Sequence, residues 1–217
     1  MKTLYFLGGL PRSGSTLLGS LLNQHPDIYV SPTSPLGEIL DKHRFWGKNL
    51  DTVQMFLSNK PKIVATYRSI PEVLTSYISL IERTQHENNF IDNHLRKDNL
   101  PITNNNRAEY IWRYYVAPSY ESMIYGLNKY PDWVHLVEYN ALVNNPEEEL
   151  NKIYNFLEVP SHTNTFNNIE NACGEQKDEE WGLKGLHDIR PNLAKISQNP
   201  IDVIGEENVK LYSKFDL

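Results

Sequence analysis

A chain of 217 residues suits one domain of ordinary size or a slightly enlarged one. Hydrophobic residues at 40% and charged residues at 22% exclude a disordered chain. The net charge of −6, from 21 Lys+Arg against 27 Asp+Glu, argues against a broad electrostatic grip on nucleic acid, and the single cysteine, Cys173, excludes a disulfide framework or a cysteine-based zinc site. No apolar run approaches the roughly 20 residues of a membrane span. The apolar start at residues 3–10 is cut short by Pro11 and Arg12, too early for a signal peptide. The expectation is a soluble, cytoplasmic protein of a reducing compartment.

In chain order, Leu4, Tyr5, Phe6 and Leu7 read as a buried strand, followed by the turn-prone Gly8-Gly9-Leu10-Pro11-Arg12-Ser13-Gly14. From Ser15 the spacing turns helical. Leu17, Leu18, Leu21 and Leu22 share one face, and His25-Pro26 ends the helix. Ile28-Tyr29-Val30 reads as a second strand, and Ile63-Val64-Ala65-Thr66-Tyr67 as a further one. Ser69-Ile70-Pro71-Glu72 is a capping box with proline just inside, predicting a helix to about Arg83.

The polar, asparagine-rich residues 85–106 read as loop or an irregular insertion. Residues 108–129 carry a long helical pattern with Pro118 as its kink, and its tyrosines and tryptophans are assigned to the core. Val134-His135-Leu136-Val137 is another strand. Asn145-Pro146-Glu147-Glu148 starts a helix whose apolar face is Leu150, Ile153, Tyr154 and Leu157, and a short terminal helix is expected near 206–215. Strands alternating with helices, each strand apolar almost throughout, predict an α/β fold with a central parallel sheet flanked by helices, in one domain over residues 1–217.

Gly9-Leu10-Pro11-Arg12-Ser13-Gly14-Ser15-Thr16 nearly spells the nucleotide-binding P-loop G-x-x-x-x-G-K-[ST], and it follows a strand and opens a helix. Backbone N–H groups at such a turn, with the positive end of the helix, hold phosphate-like anions. Ser15 occupies the lysine position, where a kinase or ATPase sets a lysine on the β/γ-phosphates. The cation sits inside the loop as Arg12. The strongest later strand ends Tyr67-Arg68, without a magnesium-binding aspartate. The loop therefore reads as a site for a phosphate ester or anhydride handled without a metal.

Leu10-Pro11-Arg12-Ser13-Gly14-Ser15-Thr16-Leu17-Leu18 resembles the 5′-phosphosulfate loop of the sulfotransferases that use 3′-phosphoadenosine 5′-phosphosulfate (PAPS), in the P-R-S-G-[ST]-T-L form of tyrosylprotein and related bacterial and phage enzymes. A strand-end arginine with a serine eight positions later is a second motif of that family, matched by Arg68 and Ser76. Guanidinium and hydroxyl can converge on one dianionic phosphate, here the 3′-phosphate. Val137-Glu138-Tyr139-Asn140-Ala141-Leu142-Val143-Asn144-Asn145-Pro146 resembles the segment whose tyrosine lies near the adenosine, although Tyr139 also suits a plain strand-end tyrosine. Gly182-Leu183-Lys184-Gly185-Leu186-His187-Asp188-Ile189-Arg190-Pro191 resembles the cationic closing loop, with Lys184 and Arg190 as its donor-binding residues. The resemblance runs from Leu4 to about Pro191.

It implies a P-loop nucleotide-binding fold and metal-independent, in-line sulfuryl transfer to a hydroxyl (or amine), with 3′-phosphoadenosine 5′-phosphate (PAP) leaving. Backbone donors of Arg12, Ser13, Gly14, Ser15 and Thr16 hold the 5′-phosphosulfate, Arg12 stabilises charge on the bridging oxygen, and Lys42 adds a second cation. Between Tyr29 and Trp46 the chain departs from the family, because the helix that normally precedes the third strand is missing or very short. Thr33 and Ser34 stand near the place of the tyrosylprotein enzymes' glutamate, which leaves Glu38 and His43 as alternative general bases. The acceptor is a small molecule, glycan or peptide. A PAP(S)-binding protein without turnover and a small-molecule kinase are the competing classes.

Overall fold

Apolar strands become a parallel sheet where helices cover both faces. The computed structural model describes residues 5–28, 30, 45–56, 60–84, 88–171, 178–194 and 198–217, with the backbone alone for Tyr5, Phe6 and Phe56. Its elements are β1 (Tyr5–Gly9), α1 (Ser15–Leu22), α2 (Trp46–Phe56), β2 (Lys62–Tyr67), α3 (Ile70–Thr84), α4 (Phe90–Lys97) and α5 (Asn104–Ile111). After a π-helical segment at Trp112–Val116 come α6 (Ala117–Lys129), β3 (Val134–Glu138), α7 (Tyr139–Asn144), α8 (Pro146–Leu157) and α9 (Pro200–Tyr212).

They form two compact units. One comprises Met1–Tyr67, Pro118–Gly174 and Ile189–Lys195; the other Arg68–Ala117, Glu175–Asp188 and Ile196–Leu217.

The first unit holds the sheet, ordered β1-β2-β3 among the described residues and parallel throughout, with Gly9 opposite Thr66 and Thr66 opposite Val137. Side chains alternate across it. Val64 and Val137 join Leu18, Leu21, Leu22, Leu150, Ile153 and Tyr154 of α1 and α8 on one face. Ile63, Ala65 and Val134 join Trp46, Leu50 and Val53 of α2 on the other. Of the strand expected at Ile28-Tyr29-Val30, Ile28 and Val30 lie outside the sheet and Tyr29 lies outside the described residues. Asn23 Oδ1 accepts the Val30 N–H at 2.6 Å and its Nδ2 donates to the Val30 carbonyl at 3.1 Å, so a side chain satisfies both backbone groups of Val30.

In the second unit, α3 buries Ile70, Val73, Leu74, Tyr77, Ile78 and Ile81 and contacts α5 and α9. The expected capping box does not close in the usual way. Asp216 Oδ1 accepts the Ile70 N–H at 2.7 Å, while Ser69 Oγ donates to Glu72 Oε2 at 3.3 Å. Residues 85–106, expected as loop, carry α4 and the start of α5, with residues 85–87 outside the described set. The residue types that make turns also cap helices: Asn89 accepts the Asp92 N–H at 2.9 Å, and Thr103 the Asn106 N–H at 3.2 Å. Arg107 then grips Asp92 with two bonds of 2.8 and 2.7 Å. Burial alone would raise the Asp92 pKa, but the bonds from Arg107 and Asn89 outweigh it and hold the carboxyl below its usual range.

The single helix expected over 108–129 is α5, the π-helical segment and α6 in succession, and Pro118, which has no N–H to give, follows the widened turn. α9 begins earlier than expected, capped by Asn199 at 3.2 Å from the Ile201 N–H, and is interrupted at Gly205 just before the expected start. Among the described residues no helix is long and apolar enough to cross a membrane.

Candidate active site

The loop between β1 and α1 is tied to the middle strand. The Leu10 N–H donates to the Thr66 carbonyl at 2.9 Å, and Ser13, fully buried, sets its Oγ 2.6 Å from the Leu10 carbonyl and 2.5 Å from Thr66 Oγ1. The Ser13 hydroxyl thus faces inward, which leaves the backbone as the part of Ser13 that could meet a ligand, the role the sequence gives it. Arg12 takes φ 58 and Gly14 φ 90. Left-handed backbone costs a residue with a Cβ roughly 1–2 kcal/mol, so Arg12 is held there by its surroundings and not by preference. The first internal bond of α1 runs from the Leu18 N–H to the Gly14 carbonyl at 2.9 Å, which leaves the amides of Ser15, Thr16 and Leu17 at the helix's positive end. The turn can hold an anion.

Tyr139 joins this loop from the end of β3. Its ring packs on Gly14 so closely that a Cβ there would lie 2.6 Å from Cδ2. Glu138, one residue earlier, is a strand-end carboxylate that the sequence reading passed over. Its oxygens accept the Ala141 N–H at 2.6 Å and Asn140 Nδ2 at 2.9 Å, which caps α7 and fixes the chain that presents Tyr139.

In the other unit, Arg68 follows β2 directly and is 5% exposed, with its Nε 3.5 Å from Glu72 Oε2. Ser76 is half-buried on α3, two turns further along. Lys184 lies exposed, 3.1 Å from Glu179. The segment around it is folded on buried Asp178: the carbonyl accepts the Leu183 N–H at 3.0 Å, and the carboxylate takes the His187 N–H at 2.9 Å and His187 Nδ1 at 2.6 Å. Asp178 escaped the sequence reading because nothing local marks it as a staple. Arg190, exposed, belongs with the first unit.

The structure therefore gathers Arg12, Ser13, Gly14, Ser15, Thr16 and Tyr139 in one place and sets Arg68 and Ser76 on one strand-to-helix junction. Glu38, Lys42 and His43 lie outside the described residues, as does Cys173. Thr66, which no motif singled out, anchors the loop.

A family model described as a sulfotransferase domain matches residues 50–180, and one described as a sulfotransferase family matches residues 5–63. A Caenorhabditis briggsae protein named as a protein-tyrosine sulfotransferase is 25% identical across 73% of this chain and 66% of its own, so the chain spans about two thirds of that relative's length. A solved sulfotransferase domain from the curacin biosynthetic pathway superposes with a TM-score of 0.50 at 17% identity, covering 100% of this chain and 93% of that one. A sulfotransferase from Alicyclobacillus acidocaldarius gives 0.50 at 15% identity, covering 81% and 88%. The expected α/β architecture, a parallel sheet flanked by helices, is the fold the chain has.

Proposed function

Because the chain belongs to the sulfotransferase family, we propose that it moves a sulfuryl group from PAPS to a hydroxyl (or amine) acceptor without a metal. The observation that carries this reading is the turn from Leu10 to Gly14: two ties to β2, a left-handed Arg12, and the amide-rich start of α1 beyond it. Its donor set of backbone N–H groups and one guanidinium suits a phosphosulfate anhydride. PAPS, when bound, supplies the activated sulfuryl group. The acceptor oxygen forms its bond to sulfur as the bond from sulfur to the bridging oxygen breaks, the acceptor proton passes to a base, and PAP departs.

In this reading the backbone donors of Arg12 to Thr16 hold the 5′ end, and Arg12 meets the negative charge that grows on the bridging oxygen. Arg68 and Ser76 take the 3′-phosphate, Tyr139 lies by the adenosine, and Lys184 and Arg190 add positive charge around the donor. Lys42 would assist at the sulfuryl group, with Glu38 or His43 as base. Ser15 in the lysine position, and a Glu138 carboxylate already engaged in capping α7, weigh against a kinase. The relative's name makes a tyrosine-containing peptide one acceptor to try, beside small phenols and glycans.

A thermal-shift comparison of PAP, PAPS, ADP and ATP tests the donor class, since a ligand of the native state raises the melt by mass action. PAP and PAPS are expected to lead, and a lead by ATP that requires magnesium would overturn the proposal. Binding of PAP without sulfation of any acceptor class would mark a donor-binding protein that does not turn over.

A further inference from the structure

We infer that Thr66 is a positioning residue for the anion loop, acting through the Ser13 hydroxyl, an inference that rests on reading that loop as the sulfuryl-donor site. Thr66 is completely buried and lies opposite Gly9 across the β1–β2 pair. Two of its atoms make three contacts with the loop: the carbonyl accepts the Leu10 N–H at 2.9 Å and lies 3.0 Å from Ser13 Oγ, and Oγ1 lies 2.5 Å from the same Ser13 Oγ. Its backbone also presses on Gly9, where an added Cβ would stand 2.3 Å from the Thr66 carbonyl oxygen.

A hydroxyl has one proton to donate. Of the two carbonyls in its reach, Leu10 at 2.6 Å is nearer to Ser13 Oγ than Thr66 at 3.0 Å, and Ser13 gives its proton there. Thr66 Oγ1 must then donate to Ser13, because its other acceptor, the Gly8 carbonyl, is 3.4 Å away. The bonds close into a ring: Thr66 hydroxyl to Ser13 hydroxyl, Ser13 hydroxyl to Leu10 carbonyl, Leu10 N–H to Thr66 carbonyl.

That ring pins both ends of the turn that contains Pro11 and Arg12. Proline presets its own φ, and the pinned ends hold Arg12 at φ 58, a conformation it would leave if released. The loop's amides and the arginine are thereby set before an anion arrives, which is preorganisation by a buried hydroxyl relay rather than by contact with the ligand.

The test is isothermal titration of PAP into the whole chain, well below the melting temperature of each variant. Thr66→Val keeps the shape and removes the donor, and Ser13→Ala breaks the relay from the loop side. Each is expected to weaken PAP about tenfold, with Thr66→Ser returning it to within about twofold of the starting protein. The double variant should lose little more than either single one, because both changes break one ring. If the unaltered protein binds PAP and Thr66→Val binds it equally, this inference falls while the donor reading stands, even if the variant melts earlier. If the unaltered protein does not bind PAP, both fall. Should Thr66→Val not fold, Ser13→Ala decides alone, and unchanged PAP affinity in it overturns the inference.

Discussion

The ring of Tyr139 lies against Gly14, so that the first residue of α7 covers the glycine that opens α1. β1 and β3 run parallel on either side of β2, so Gly14 after β1 and Tyr139 after β3 lie at the same end of the sheet. Neither residue has freedom to spare: Gly14 stands at φ 90, and the Glu138 cap fixes the start of α7.

Gly14→Ala is therefore expected to destabilise the fold by about 1–3 kcal/mol and to remove PAP binding, because the new methyl meets both an unfavourable backbone and the tyrosine ring. Adding Tyr139→Ala relieves the second conflict and not the first, so the double variant should regain part of the stability. Urea unfolding with calorimetric titration reads both effects. PAP affinity equal to that of the starting protein in Gly14→Ala would contradict this packing.

What the sequence revealed, and what it hid, follows the range of the interactions. The sheet strands at Ile63-Val64-Ala65 and Val134-His135-Leu136, and the helix behind Pro146, were legible because local apolar spacing and a local cap specify each of them. Ile28 and Val30 have strand composition yet lie outside the sheet, and the Asn23 side chain bonds both Val30 backbone groups, a contact that composition does not show. Residues 85–106 read as loop because asparagine-rich polar sequence favours turns, whereas Asn89 and Thr103 cap helices. The Asp92–Arg107 pair that braces them joins residues far apart in the chain. In the loop itself the motif marked the turn between β1 and α1, yet gave no sign that Ser13 turns inward or that Thr66, distant in sequence, holds it.

Away from the loop, Asp51 carries a readable acid titration. Its carboxylate accepts two bonds from Lys129 Nζ, at 2.9 and 2.8 Å, with further bonds from Tyr130 and Tyr125. These partners, Lys129 first, lower its pKa from 3.8 to about 2. A depressed folded pKa stabilises the fold above the unfolded value and loses that contribution as pH falls through the folded value. Asp51→Asn should therefore lower the urea midpoint relative to the unaltered protein at pH 5, with the gap closing between about pH 4 and pH 2. The group is well exposed, so salt should shrink the gap. A gap that persists unchanged at pH 2 would assign it to lost packing instead.

Ser76→Ala tests the proposed 3′-phosphate site most cleanly, since it removes one hydroxyl from a half-buried helix position. PAP should weaken by the worth of one charge-assisted hydrogen bond, about 1.5–3 kcal/mol, while AMP stays almost unchanged. Arg68→Ala should erase the preference for PAP over AMP altogether, at some cost in stability because it leaves the nearby Glu72 carboxylate without that guanidinium. Equal affinity of the unaltered protein for PAP and AMP would remove both residues from the site.

Arg12 separates binding from chemistry. If its guanidinium acts mainly on charge that develops as the sulfur–oxygen bond breaks, Arg12→Ala should lower turnover on the order of 100–1,000-fold and weaken PAP far less. The amides at the start of α1 would still hold the 5′-phosphate, and the Ser13–Thr66 ring would still close the turn around an alanine at the same left-handed φ. Arg12→Lys should recover part of the rate, because a point cation survives without the planar fork. Slow hydrolysis of PAPS serves as the rate assay where the acceptor is not in hand, with calorimetric titration of PAP beside it. If Arg12→Ala instead abolishes PAP binding and its residual turnover tracks occupancy, Arg12 is a binding residue alone. The stabilisation of the leaving oxygen would then have to come from Lys42, and Lys42→Ala should show the rate loss that Arg12→Ala does not.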